Sequence, residues 1–402
     1  MNDMAPAGSA GMSSTPTAIS LGARAQAVAE VASGHAREVD AAPRFPKEAL
    51  AAARRHRLLG IQVPRPLGGE GATLSEVAEV CFTLAQACSS TGMIYAMHQV
   101  SVACLVRHGQ ASTTITKLLS RLCAEQLLLA SSTTEGKGGG NVRSSEAPVQ
   151  YGDGRISLDR EATVISYGAD ADGIVTTARR AADAAASDQV LIVFPKEDYT
   201  LTRFQGWNTL GMRGTCSEGY KLRATGSPEQ ILPHPYEVIH ARTMVPSSHL
   251  LWGAVWAGIA AEAVTRAQAY LRNAARHSGG QMAPGAPQLS RALASLGALR
   301  AVLTNSLRAY EARMDDAKAL DALAFQSLIT LNKVQISELA VETVLTTLRV
   351  CGLAGYRCDG EFSIERQLRD VLSSPLMINN DRILANLAGT SLLATVPRSL
   401  ND

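Results

Sequence analysis

The stretch L-L-L-A-S-S-T-T-E-G-K-G-G-G-N, residues 127 to 141, is where the chain changes period. Upstream of it, apolar residues recur at helical spacing. From Leu127 to Pro233 they alternate, and Gly, Thr, Val and Ile become prominent. The alternation predicts strands over 127–133, 155–158, 163–166, 173–178, 189–194, 201–204 and 220–224. The glycine-rich turn after the first strand does not open a helix as G-x-G-x-x-G would, so the dinucleotide fingerprint fails. Taken alone, it reads more readily as a plain mobile hairpin than as a ligand loop.

On either side the pattern is helical. An alanine-rich amphipathic run predicts a helix over 18–34, and Pro46 opens another that reaches His56. Thr73 or Ser75 caps a helix running to Ala87, with Glu76 and Glu79 in its first turns. Ser90 to His108 is almost uncharged and apolar all round, which marks a buried helix. Tyr95, His98 and Gln99 in it therefore need polar partners inside. After Ser247 long helices return, over 248–277, 287–314 and 319–350, then shorter ones over 363–371 and 381–393. This order predicts an α+β chain in three parts. They are an N-terminal α-helical domain (18–126), a middle β-domain of barrel or sandwich type (127–240) and a C-terminal four-helix bundle (241–402), after a flexible tail over 1–17.

Composition narrows the function classes. The 402 residues are 46% hydrophobic and 18% charged, which describes a globular chain with a large core. A net charge of +2 without a basic block argues against nucleic acid. No apolar run approaches the roughly 20 residues of a membrane span. The N-terminus lacks the basic and apolar regions of a secretory signal. Seven cysteines without C-x-x-C spacing read as reduced thiols of a cytoplasmic protein, with neither a disulfide framework nor a metal site.

Near the C-terminus, R-D-V-L-S-S-P-L-M-I-N-N-D-R (369–382) ends one helix, breaks at Ser373-Ser374-Pro375 and starts another at Asn379, Asn380 or Asp381. A pair of asparagines at a helix start suits an anion or a polar cofactor edge, and it is also an ordinary cap.

With these motifs in order, the chain resembles the acyl-CoA dehydrogenase superfamily from about residue 20 onward. F-P-K-E-A-L (45–50), G-I-Q-V-P (60–64) and L-G-G-E-G (67–71) match the family's opening pattern. Thr134-Glu135 matches its flavin-loop Thr-Glu. G-W-N-T-L-G-M-R-G-T-C-S (206–217) matches its Trp…Leu-Gly-Met-Arg-Gly-Thr signature. C-G-L-A-G-Y (351–356), I-E-R (364–366) and Arg369-Asp370 match its glycine-rich turn and Arg-Asp pair. The resemblance implies a flavin, FAD in most members, between the β-domain and the bundle, with Thr133, Thr134 and Ser166 at its ring. It places Arg276 on the pyrophosphate of a neighbouring subunit's cofactor, and Gly352 and Asn380 near the cofactor too. An exposed arginine at a helix end reads as well for Arg276. Homodimers or homotetramers through the bundle follow from the same likeness.

The departures matter as much. Val164 replaces an aromatic, Gly279-Gly280 replaces Phe-Gly, and Leu348 stands where a Gln contacts the ADP half, which leaves FMN open beside FAD. The family's base, a glutamate, falls on Ile378. Its alternative place, early in the first long C-terminal helix, falls near Ser248, beside His249. With both carboxylates absent, three readings remain, of which the first is preferred to the second because His249 falls at a place the family uses for its base. In the first, His249 is the base for α,β-dehydrogenation of a short or polar acyl thioester, carried by CoA or a carrier protein and oxidised with an electron-transfer partner. In the second, the protein is a monooxygenase of the same fold, using oxygen and flavin reduced by a flavin reductase, with His98 or His249 assisting. In the third, the site is vestigial and the chain only binds a carrier. Met93, Tyr95, His98 and Trp252 are the expected substrate pocket, in which Tyr95 limits chain length.

Overall fold

The computed structural model describes residues 19–135 and 142–393, with 396, 398 and 399. The expected tail over 1–17 and the glycines of the 136–141 loop lie outside the described residues. Five helices come first: α1 (Leu21–Ala41), α2 (Lys47–Arg55), α3 (Leu74–Ala87), α4 (Ser89–His108) and α5 (Thr113–Glu125). Ser20 caps α1 through its hydroxyl. The helix runs through Gly34, the expected end, because Ala32, Ala36 and Val39 continue its buried stripe. The stripe outweighs the roughly 1 kcal/mol penalty of one glycine. Thr73 and Glu76 form a reciprocal capping box on α3. The reading of the sequence overlooked α5. Ser112 caps it, and Ile115, Leu118, Leu119 and Leu122 bury one face.

Seven strands follow: β1 (Leu129–Ser132), β2 (Gln150–Gly152), β3 (Arg155–Ile165), β4 (Gly173–Arg179), β5 (Gln189–Pro195), β6 (Tyr199–Gln205) and β7 (Glu218–Gly226). They form two sheets, ordered β1-β4-β5 and β2-β3-β7-β6, with β1 parallel to β4 and the other pairs antiparallel. The strands expected over 155–158 and 163–166 are one, β3, interrupted by a bulge between Ala162 and Ile165.

The chain then returns to helices: α6 (Tyr236–Ile239), a π-turn (His240–Met244), α7 (Val245–His277), α8 (Ala286–Glu311), α9 (Ala317–Asp321), α10 (Leu323–Cys351), α11 (Leu353–Tyr356), α12 (Glu365–Val371) and α13 (Asn380–Leu393). The helix expected over 319–350 divides at Ala322, whose ψ of 126° leaves the helical region. α7, α8 and α10 pack against one another, α13 joins α10, and α3 of the N-terminal part packs along α7. No described helix is long and apolar enough to cross a membrane.

One junction ties the three parts together. The Met212 N–H donates to Asp370 Oδ1 at 2.6 Å. Arg369 donates to the Leu210 carbonyl and pairs with Asp40 of α1. The Tyr167 N–H, just after β3, donates to the Thr215 carbonyl at 2.8 Å. So the Leu-Gly-Met-Arg-Gly-Thr and Arg-Asp motifs are two sides of one contact. Gly211 is where their backbones meet, since a Cβ there would lie 2.1 Å from the Arg369 carbonyl oxygen. Gly211→Ala is expected to cost roughly 3 kcal/mol, because two main chains must separate. Urea unfolding checks this, and an unchanged midpoint would show that the junction gives way freely.

Candidate flavin site

The site lies where β1, the end of β3 and the 212–217 turn meet the bundle. Thr133 and Thr134 are half-buried and follow β1 directly. Glu135 is buried, and its carboxylate accepts the N–H groups of Glu146 and Ala147 across the base of the loop. Arg160 of β3 lies beneath it, with Nε 3.6 Å from Glu135 Oε1. Burial pulls the Arg160 guanidinium down to about 10, against the opposing pull of Glu135.

Ser166 belongs to a chain of hydroxyls. Its Oγ lies 2.8 Å from Ser217 Oγ, Ser217 lies 2.8 Å from Thr215 Oγ1, and Thr215 donates to the Met212 carbonyl. Ser217 and Thr215 were not singled out as site residues, although they sit within the quoted signature. Around this chain the backbone is held in the left-handed region at three non-glycine residues: Tyr167 (φ 43°), Met212 (φ 54°) and Cys216 (φ 45°). Strain of this kind persists only where surrounding contacts over-determine it, and it concentrates at functional sites. Val164 and Ile378, apolar and each 39% exposed, stand open on the β-domain and bundle sides. The hydroxyl chain, with open Val164 two residues before Ser166, fits a flat ring with a polar rim, which is the chemistry of a flavin.

The base positions are informative. Ser248 donates its hydroxyl to the Met244 carbonyl at 2.6 Å and offers nothing acidic. His249 is buried in α7, its Nδ1 has no partner, and the Ile329 backbone holds the ring from α10. Burial, with Lys333 and His240 nearby, lowers its proton affinity to a pKa of about 3. Ile378, in the glutamate's place, is a β-branched residue at φ 50°. It is held there by Lys333 of α10, a lysine that reading the sequence missed. Lys333 is buried and donates to the Ser374 and Ile378 carbonyls and to Asn380 Oδ1, at 3.1, 3.0 and 2.7 Å. Burial lowers its pKa to about 8. The spacing Ile329, Lys333, Ser337, Ala340 follows one face of a helix and could have revealed it.

Several expected site residues are occupied elsewhere. His98 uses both ring nitrogens on backbone, Nε2 with the Leu59 carbonyl and Nδ1 accepting the Leu129 N–H, and burial lowers its pKa to about 4. Tyr95 donates to the Leu58 carbonyl, and both side chains are fully buried beside Met93. Asn380 turns its amide inward, to Lys333 and Ser337, and Asn379 is the side chain that caps α13. Arg276 is exposed in the last turn of α7, and Gly352 ends α10 at φ 55°. Trp252 is on the α7 stripe with His249 and Trp256, and the indole nitrogens of both tryptophans are buried without a partner. Among the described residues no cluster of His, Cys, Asp and Glu could hold a metal.

The N-terminal domain of acyl-CoA dehydrogenases matches residues 16–126 and their C-terminal domain matches residues 241–392. The chain belongs to the acyl-CoA dehydrogenase family, and it is a flavin-dependent oxidoreductase of that family. It is 24% identical over 372 residues to a Mycobacterium tuberculosis protein described as Probable acyl-CoA dehydrogenase FadE25, covering 92% of this chain and 93% of that one. In fold it is similar to FMN-bound TdsC of Paenibacillus sp. A11-2 (TM-score 0.82, 19% identity, 94% of this chain and 98% of that one). It is similar also to the nitrososynthase of Micromonospora carbonacea var. africana (TM-score 0.78, 21% identity, 94% and 97%).

Proposed function

We propose that the protein is a flavin-dependent monooxygenase, adding one atom of O2 to a small organic substrate with flavin reduced by a separate reductase. One observation carries this reading: neither place for the family's base holds a group able to take an α-proton. Ile378 is apolar, Ser248 is bonded to its own helix, and His249 binds protons far too weakly at neutral pH. Proton abstraction beside a thioester wants a base whose pKa lies near the working pH. The flavin would supply the oxygen chemistry, and the chain would position it. Thr133, Thr134 and the Ser166–Ser217–Thr215 hydroxyls would hold the polar edge of the ring, with Val164 and Ile378 along its face. The unpartnered indole N–H groups of Trp252 and Trp256 favour a substrate with hydrogen-bond acceptors, and the free Nδ1 of neutral His249, on the same stripe of α7, offers an acceptor to a substrate donor. Arg276, with Leu353 and Tyr356 open beside Gly352, supports a second copy of the chain closing over this end.

TdsC is described elsewhere as a dibenzothiophene monooxygenase, which agrees with this reading. The FadE25 relatives favour the competing one, dehydrogenation of an acyl-CoA thioester. The test is anaerobic mixing of the flavin-loaded protein with short acyl and aminoacyl thioesters. The flavin absorbance is expected to stay unbleached, whereas chemically reduced protein exposed to O2 and an acceptor-bearing aromatic substrate yields oxygenated product. Bleaching by a thioester alone would establish a dehydrogenase, and its loss in His249→Ala with flavin retained would make His249 the base.

A further inference from the structure

Beside Arg213 of the 213–215 turn lies a groove of about 840 Å³. Its walls come from α1, the 213–215 turn, α7 and the 358–369 segment, so parts distant in sequence converge on it. Five arginines line it, Arg37, Arg213, Arg266, Arg366 and Arg369, against three carboxylates, Asp40, Asp359 and Glu365.

The pairing within the groove is uneven. Arg369 is held by both Asp40 and Glu365, two carboxylates sharing one guanidinium, so this trio leaves one negative charge against the arginines that remain. Asp359 is gripped through both oxygens by Arg357, outside the groove, and lies within electrostatic reach of Arg37. Arg266 pairs with Glu262 and donates to the Glu361 and Ser363 carbonyls. Arg366 has one long bond of 3.5 Å, to the Ala87 carbonyl. The Nε of Arg213 is buried with no partner. A guanidinium N–H withdrawn from water and left unbonded is costly unless an acceptor completes it.

We propose that this groove binds a phosphorylated small molecule through its diphosphate, with Arg213, Arg37 and Arg366 as the principal donors. The planar fork of arginine matches phosphate oxygens two at a time, and several forks on separate elements can surround a diphosphate from different sides. The groove has the volume of small-molecule sites, which run from about 300 to about 1,000 Å³, and it is concave, which suits such a ligand better than a protein surface. The binding needs neither flavin nor the oxygenation reading, so it stands or falls separately from them.

Isothermal titration calorimetry on the full-length, flavin-loaded protein tests it, with inorganic pyrophosphate and then ADP as titrants. Both are expected to bind, more weakly at about 0.15 M ionic strength than at low salt. Arg213→Gln and Arg37→Gln should each weaken binding about ten-fold, a loss in keeping with charge-assisted bonds to phosphate. Arg55→Gln, on the exposed face of α2, should bind like the parent. Arg37 is an exposed helix residue, so its variant decides the matter if Arg213→Gln fails to fold. Absence of binding by both titrants, or binding by the Arg37 and Arg213 variants as tight as that of the parent, overturns the proposal. So does a change in sedimentation mass on substituting these arginines without any pyrophosphate binding, which would make the groove a subunit contact.

Discussion

Glu135→Gln is expected to lower the unfolding free energy by about 3–5 kcal/mol, the cost of breaking a buried ion pair by removing one partner. Both partners are almost wholly enclosed, with Arg160 at 2% and Glu135 at 8% exposure. The Arg160 guanidinium keeps only neutral acceptors after the change: the hydroxyls of Thr176 and Thr177 and the Thr177 carbonyl. Two of its nitrogens, Nε and Nη2, already lack a hydrogen bond, so the Glu135 charge is what makes the burial tolerable. Glutamine can still accept one of the two N–H groups that close the loop base, which keeps the effect mainly electrostatic. Urea unfolding of the single variants and of Glu135→Gln with Arg160→Met isolates the pair. The double variant should recover much of the loss, because no unpaired charge remains inside. A single-variant loss below about 1 kcal/mol would mean that water reaches Arg160. Flavin content should fall with stability in Glu135→Gln, since Thr133 and Thr134 directly precede the anchored residue.

The architecture was legible because its signals are local and repeated. A period change at Leu127, a capping box at Thr73 and an uncharged buried run over α4 each announce their element without a partner. α5 carries signals just as local, the Ser112 cap and its apolar stripe. The strand divided in the reading between Leu158 and Thr163 is different: Asp159, Arg160 and Glu161 interrupt the apolar alternation, yet they pair in register with Arg223, Leu222 and Lys221 of β7. For the site, composition named the residue types but not where they face. His98, Asn380 and Tyr95 were polar groups on buried or cap positions, and each turns inward to a main-chain or lysine partner. Such partners come from other elements, Leu59 for His98 and Lys333 for Asn380, and no spacing within one helix reveals them. Lys333 itself lay in view on a buried stripe, and its meaning depended on the three acceptors that the 374–380 turn brings to it.

A second large effect should appear in acid. His98 and His249 are both buried, at 0% and 3% exposure, and their pKa values in the folded chain are about 4 and about 3, against 6.5 for a free side chain. Between those limits the unfolded chain binds protons that the folded chain refuses, so stability rises with pH through this window and is lost as pH falls through it. The loss begins near pH 6.5 and levels off only below the folded values. From about pH 7 to about pH 5 each histidine should remove roughly 2 kcal/mol, and the two together roughly 4 kcal/mol. Carboxylates add their own acid dependence, so substitution is needed to isolate the histidines. His249→Gln cannot take up a proton in the unfolded chain, and the loss between the two pH values should shrink by about 2 kcal/mol relative to the parent. His98→Gln should do the same while costing more at neutral pH, because the Leu129 N–H and the Leu59 carbonyl both lose their partner geometry. Equal pH dependence in parent and variants, measured by urea unfolding at both pH values, would show that these rings open to water before the chain unfolds.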